Sequence, residues 1–158
     1  VAVKLHSLLN EDLVVAPLKG RSRDDVIREM AEHLQARTDA ASGVDIATKL
    51  LEREGLGTTA IGGGVAIPHC KVGGLKAPVL ALGVSREGVA FESLDGKSTH
   101  VVFLVVSPLE NPNVNLRLLA AIAQLVRKSG GLTSRLMRAS TPGEAIRAVR
   151  EEEERAHA

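Results

Sequence analysis

Residues 79–84 and 101–106 are apolar almost without interruption, and a strand can be apolar at every position only when both of its faces are covered. That condition demands helices on two sides of a sheet, and the flanking segments supply them. Ser22 opens one helix, with Asp25 three positions on and Val26, Ile27, Met30 and Leu34 at helical spacing. A second is predicted over 42–54, from Ser42, with Val44, Ala47, Leu50 and Leu51 facing inward and Gly55 as its stop. Asn111 and Pro112 signal the start of a third, which runs to about Lys128 on a stripe of Leu118, Leu119, Ile122, Leu125 and Val126. A short helix over 132–139 follows, and Thr141, Pro142 and Glu144 form a capping box for the last. Residues 5–9 read as a short turn or helix and 12–18 as a first strand. Residues 55–75 read as short strands joined by tight turns, and 85–88 and 94–98 as connections around a short strand at 89–91. Helices alternating with apolar strands indicate one α/β domain. Its limits are read as 1–150, with 151–158 a charged C-terminal tail whose run Glu151 to Glu154 reads as a solvated helix end or tail.

Composition narrows the function classes. Aromatic residues are 1% of the chain, Phe91 and Phe103 alone, so the core is built from Leu, Val, Ile and Ala, and stacking-based recognition of single-stranded nucleic acid is disfavoured. A formal charge of +1 gives no field that favours nucleic acid or a membrane surface. Cys70 is the single cysteine, which excludes an internal disulfide and a multi-cysteine zinc site and is consistent with a reducing compartment. No apolar run reaches the roughly 18 residues of a membrane span, and no signal peptide is read. Because the sequence opens on Val1, a processed chain or a piece of a longer one is expected.

The stretch 61–75, IGGGVAIPHCKVGGL, places a histidine among glycines. Pro68 fixes its own φ, removes a ladder donor and pushes Ile67 towards an extended conformation, so strand pairing is expected to stop there with His69 at a strand end. Alternation puts His69 and Cys70 on opposite faces, which argues against a Cys-His nucleophilic pair and leaves Cys70 as a small buried hydrophobe. On local chemistry alone His69 is either a hydrogen-bonded structural histidine or a reactive one. Nucleotide-binding loops fail on spacing: Ile67 stands at the third glycine of G-x-G-x-x-G, and Phe91 at the first glycine of a Walker A loop ending Gly96-Lys97-Ser98. His69, Cys70 and His100 have no metal-ligand spacing, so no metal and no cofactor is expected.

The residues Arg53-Glu54-Gly55-Leu56-Gly57-Thr58-Thr59-Ala60-Ile61-Gly62, followed by Val65-Ala66-Ile67-Pro68-His69, resemble the active-site block of the IIA components of the fructose/mannitol class of the bacterial phosphotransferase system, including its nitrogen-regulatory branch. That pattern joins an L-x-R-E segment and a Gly-Ser/Thr-Thr step to an I-A-I-P-H segment. Arg53 precedes His69 by 16 residues (69 − 53), the family spacing. The resemblance runs in outline over 5–149 and is strong over 51–75. It implies a single α/β domain with a mixed central sheet flanked by helices, and a phosphotransferase component with a phosphohistidine intermediate.

Under this resemblance His69 is the phosphoryl acceptor. A neutral imidazole can attack through one nitrogen while a hydrogen bond to the other fixes the tautomer. Arg53 would offer a planar fork of donors to the phosphoryl oxygens, and the Thr58 and Thr59 hydroxyls with glycine amides would supply the rest. The alternatives are a solvated helix end for Arg53 and a plain turn for the threonines. At the family's second-histidine position this chain has Asn115, which can donate a hydrogen bond near a helix N-terminus but cannot titrate with His69. Implied partners are an upstream phosphohistidine carrier protein and either a sugar-transporter IIB domain or a regulatory target, with a cytoplasmic location and no direct membrane insertion. The remaining alternative is a IIA-like binding module that is not phosphorylated.

Overall fold

The computed structural model describes residues 3–39 and 43–157. Helices α1 (Leu5–Leu8), α2 (Arg23–Arg37) and α3 (Ile46–Gly55) precede most of the sheet, and α4 (Pro112–Lys128), α5 (Leu132–Arg138) and α6 (Pro142–Ala156) follow it. The strands are β1 (Val14–Val15), β2 (Ala60–Gly62), β3 (Val65–Ala66), β4 (His69–Val72), β5 (Val79–Val89) and β6 (Thr99–Pro108). They form one mixed sheet in the order β1-β5-β6-β3-β2, with β4 also paired to β6. Strands β5 and β6 are antiparallel, whereas β1 runs parallel to β5 and both β3 and β4 run parallel to β6.

The two apolar runs are the two central strands, and alternation along them creates two cores. Val101, Phe103 and Val105 of β6 pack with Leu118, Ile122, Leu125, Leu136 and Val149 on the α4–α6 side. Val102, Leu104 and Val106 pack with Val26, Ile27, Met30, Ile46 and Leu50 on the α2–α3 side. Burial on both faces is why β6 shows no polar alternation.

Side-chain caps open three helices, α2, α3 and α6, while α4 opens on Pro112 with no side-chain cap bond from Asn111 among the described residues. Ser22 accepts from Asp25 N–H at 3.1 Å. Thr141 accepts from Glu144 N–H at 3.1 Å, and the Glu144 carboxylate reaches one residue further back than a capping box requires, to Ser140 N–H at 2.8 Å. Ser42 lies outside the described residues, and α3 begins at Ile46 under an Asp45 cap that accepts from Thr48 N–H. Helix α3 includes Gly55.

Four expectations are corrected. The first strand shrinks to Val14–Val15, preceded by one turn of 3₁₀ helix at Glu11–Leu13; Pro17 has no N–H for the ladder. The supposed connection at 85–88 belongs to β5, carried through a register shift between Val84 and Val89. There Gly88, at φ +89, adopts a conformation that disfavours side chains. Pairing does not stop at Pro68, as described below. Finally, the run Glu151 to Glu154 is part of α6, and Glu152 and Glu153 are 2% and 4% exposed.

Long-range partners explain that burial. Glu152 accepts from the Ser129 hydroxyl, Arg135 and Arg155, and these hold its carboxyl below the usual carboxylate range. Glu153 accepts from Leu5 N–H at 2.7 Å, His6 N–H at 2.9 Å and the His6 ring at 2.7 Å. One carboxylate therefore ties α1 to α6. Glu153→Ala should lower stability by about 2–3 kcal/mol, the scale of hydrogen bonds to a buried charge, while Glu154→Ala on the exposed side should change it by less than about 0.5 kcal/mol. Urea unfolding with an unchanged slope and a lowered midpoint for Glu153→Ala alone is the expected result.

Candidate functional site

Strands β3 and β4 occupy the same edge of β6 and are separated by Ile67 and Pro68. Pro68 lacks the N–H but keeps its carbonyl, which accepts from Val105 N–H at 3.0 Å. The ladder to β6 therefore continues across the proline, and His69 opens β4 rather than closing a strand. It sits opposite Val105, and Lys71 sits opposite Ser107.

The other edge changes at this point. Ile67 N–H still donates to Thr59 O at 3.0 Å, the last bond between this strand and the β2 segment. Beyond it the chain of Gly57 and Thr58 turns away, and the Ile67 carbonyl accepts from His69 Nδ1 at 2.8 Å. A carbonyl can only accept, so Nδ1 carries the proton and Nε2 keeps its lone pair. Burial lowers the His69 pKa below the ordinary histidine value; the Ile67 bond opposes this, and the Arg53 charge lowers it further. Half-buried and neutral near pH 7, His69 offers a nucleophilic Nε2.

Alternation places Cys70 in the α2–α3 core, on the face opposite His69. Burial raises its thiol to about 11, so it stays protonated at neutral pH and packs as a small hydrophobe.

Arg53 is the basic residue in the last turn of α3, and its guanidinium donates to Gly57 O at 2.9 Å. Among the described residues it has no carboxylate partner, and its charge is felt at His69. The turn it braces is fixed from below by Glu54, which is 2% exposed. Glu54 accepts from Thr59 N–H at 2.8 Å and the Thr59 hydroxyl at 2.6 Å. Thr58 donates its hydroxyl to Phe91 O and accepts from Ala60 N–H at 3.1 Å. Both threonine hydroxyls are thus engaged in holding the turn beside His69.

Asn115 lies in the first turns of α4, 4% exposed, and accepts from the Ser107 hydroxyl at 3.1 Å. Ser107 is two residues beyond Val105 on the strand face that carries His69 and Lys71, so Asn115 and His69 meet at one end of the sheet. The glycine run is not gathered there. Gly62, Gly63 and Gly64, all at positive φ, form the β2–β3 turn. This turn adjoins the Val101 end of β6, roughly 13 Å along the strand from Val105 at standard rise. Gly63 N–H is taken by Asp95 at 3.1 Å.

Glu54 and Ser107 were not singled out from sequence. Glu54 is at i+4 from Leu50, a carboxylate on the buried stripe of α3, and it is also the acidic residue of the L-x-R-E segment. Among the described residues no group of three or more His, Cys, Asp or Glu side chains could hold a metal ion, and no helix is long and apolar enough to cross a membrane.

The fold and this arrangement define a class: a three-layer α/β protein that presents a tautomer-fixed, neutral histidine at the start of a strand, near an arginine that has no carboxylate partner among the described residues. The family model described as "Phosphoenolpyruvate-dependent sugar phosphotransferase system, EIIA 2" matches residues 7–152, and the chain belongs to that family. A nitrogen regulatory protein of Bradyrhizobium diazoefficiens is 33% identical over 145 residues, covering 92% of this chain and 93% of that protein. The fructose-specific EIIABC component of Bacillus subtilis is 30% identical over 126 residues, covering 80% of this chain but 20% of that protein. The chain therefore spans about a fifth of the length of such transporter components. The crystal structure of the nitrogen regulatory protein IIA-Ntr from Neisseria meningitidis superposes with a TM-score of 0.78 at 27% identity, covering 92% of this chain and 98% of that one. IIA mannitol from Escherichia coli, at 18% identity and a TM-score of 0.69 over 89% of this chain and 98% of that one, shares the fold.

The electrostatics at His69 can be tested without any partner. Arg53→Gln removes a cation that favours the neutral ring, so the His69 pKa should rise towards the ordinary value. An NMR titration reads this directly, and ¹⁵N shifts should show the proton on Nδ1 in both proteins.

Proposed function

We propose that His69 accepts a phosphoryl group on Nε2 from an upstream phosphohistidine carrier protein, with phosphoenolpyruvate as the ultimate source. The observation that carries this reading is the Ile67 carbonyl on Nδ1, which fixes the tautomer and leaves Nε2 free. The Nε2 lone pair forms the new N–P bond while the donor's N–P bond breaks, its electron pair returning to the donor imidazole. The proton stays on Nδ1, hydrogen-bonded to Ile67 O. Arg53, with no carboxylate partner among the described residues, supplies positive charge to the phosphoryl oxygens. Thr58 and Thr59 support the anion indirectly, by holding the turn that Arg53 braces.

The phosphorylated form then acts as a signal, its added charge changing which regulatory target the surface around His69 binds. Similarity to nitrogen regulatory proteins over nearly the whole chain supports this use, as does Asn115, which cannot exchange a proton with His69 during onward transfer. A second reading, passage of the group to a sugar-transporter IIB domain, is favoured by the identity with the fructose-specific component. It draws further support from the fold shared with IIA mannitol, whose complex with phosphorylated IIB mannitol of Escherichia coli is a solved structure. Both uses place the protein in the cytoplasm, and neither requires nucleic acid or insertion into a membrane.

Incubation with phosphoenolpyruvate and the general phosphotransferase proteins should give an acid-labile phosphohistidine by mass spectrometry, absent from His69→Ala. Arg53→Ala should slow its formation on the order of 10²-fold, the scale of losing one preorganised donor to a developing anion. Label that survives His69→Ala defeats His69 as the acceptor, and no label in the wild type leaves a binding module that works without phosphorylation. Rapid discharge to an added IIB domain would select the second reading.

A further inference from the structure

Ser107 is a polar residue at the end of an apolar strand, with no exposure at all. Its hydroxyl donates to Asn115 Oδ1 at 3.1 Å. With the carbonyl end of the amide held, the Nδ2 end must face the other way. Among the described residues Nδ2 has no hydrogen-bond partner, since the Ser107 bond is the only one the Asn115 side chain makes. Yet no side-chain nitrogen or oxygen among them is sealed in the interior without a partner. Nδ2 therefore opens to the surface although Asn115 is only 4% exposed. The opening lies at the His69 end of the sheet, because Ser107 pairs with Lys71 and Val105 with His69 in consecutive register on one face. Standard strand spacing puts the Cα atoms of Ser107 and His69 about 8 Å apart, within reach of an asparagine amide and a phosphorylated imidazole projecting from the same face.

We propose that Ser107 is a positioning residue for phosphoryl exchange at His69: by donating to Asn115 Oδ1 it turns the Nδ2 donors of Asn115 towards the phosphoryl oxygens. The inference rests on His69 being the acceptor. Its chemistry follows from the asymmetry of an amide. One orientation offers two N–H donors to an anion, and the other presents a carbonyl oxygen that repels it. A serine hydroxyl could serve either end of an amide, but here it spends its one proton on the carbonyl, and that choice selects the donor-outward orientation. In this chain a neutral, orientation-locked amide supplies the hydrogen bond that a titrating side chain would supply only in the right protonation state.

The test is a double-mutant cycle on the rate of His69 phosphorylation by a phosphorylated carrier protein. Ser107→Ala should lower the turnover rate about five- to tenfold, the worth of one oriented hydrogen bond, with little change in the KM for the carrier. In an Asn115→Ala background the same substitution should change nothing. Asn115→Asp, the same shape with two acceptors, should be slower than Asn115→Ala, because the oxygen away from Ser107 now faces the phosphoryl group. Thermal midpoints of all four variants show whether each is folded at the assay temperature, and Ser107→Thr, which keeps the hydroxyl, should recover most of the rate. The proposal is overturned by a Ser107→Ala protein that is as fast as wild type, by an equal loss in the Asn115→Ala background, or by Asn115→Asp outpacing Asn115→Ala. A wild-type protein that takes no phosphoryl group on His69 is a different failure, and it removes the acceptor reading and this inference together.

Discussion

The hydrogen bond from His69 Nδ1 to the Ile67 carbonyl, 2.8 Å long, depends on a sheet edge that is lost at one position. Up to Ile67 the strand is paired on both sides, to β6 and to the β2 segment through Thr59. Pro68 removes one donor, the β2 side departs, and β6 remains paired through the Pro68 carbonyl. The backbone is thus rigid on one side and free on the other, which holds a side chain firmly while leaving it open to a partner. The tautomer of His69 is set by the same break that exposes it.

Around this point polar groups are admitted to apolar surfaces only where each has a partner. Glu54 lies in the buried stripe of α3 and Asn115 in that of α4, on opposite faces of the sheet. Glu54 takes both donors of Thr59 and so shapes the turn that Arg53 braces. Asn115 accepts a hydrogen bond from the Ser107 hydroxyl. One buried polar side chain from the helices on each face of the sheet thus lies near His69. A buried carboxylate without those donors would cost several kcal/mol, so the turn and the helix that carries Arg53 are coupled through Glu54.

What was legible in the sequence follows from how local the cause was. Residues 79–84 and 101–106 announced two-sided burial because no alternation interrupts them, whereas Pro68 misled, because its retained carbonyl keeps the pairing to β6 and His69 opens a strand. The motif joining Arg53 to His69 carried the family and with it the mixed sheet. Residues 85–88 read as a connection because Ser-Arg-Glu-Gly is turn chemistry, and only the pairing of β5 with β6 carries them into a strand. The burial of Glu152 and Glu153 was not legible, because their partners Ser129, Arg135, Leu5 and His6 come from elsewhere in the chain. For the same reason Ser107 looked like the mere end of an apolar run, and the glycines at 62–64, adjacent to the site in sequence, turned out to serve a hairpin at the far end of β3.

Charge links the site to the whole molecule. The chain carries a formal net charge of +1, and a phosphoryl group adds about −1.5 to −2 at neutral pH. Phosphorylation of His69 would therefore reverse the sign of the net charge. Burial is the main cause of the lowered His69 pKa, and the Arg53 and Lys71 charges lower it further. Those cations lower the basicity of the free ring, and under the proposed function they would stabilise the anion once it had formed. A partner that reads this surface meets a cationic patch in one state and a neutralised or anionic one in the other. The exposed leucines Leu56, at the Arg53 turn, and Leu116, beside Asn115, stay the same in both. Apolar contact of that kind supplies affinity that does not depend on phosphorylation, so discrimination between the two states must come from the charge at His69.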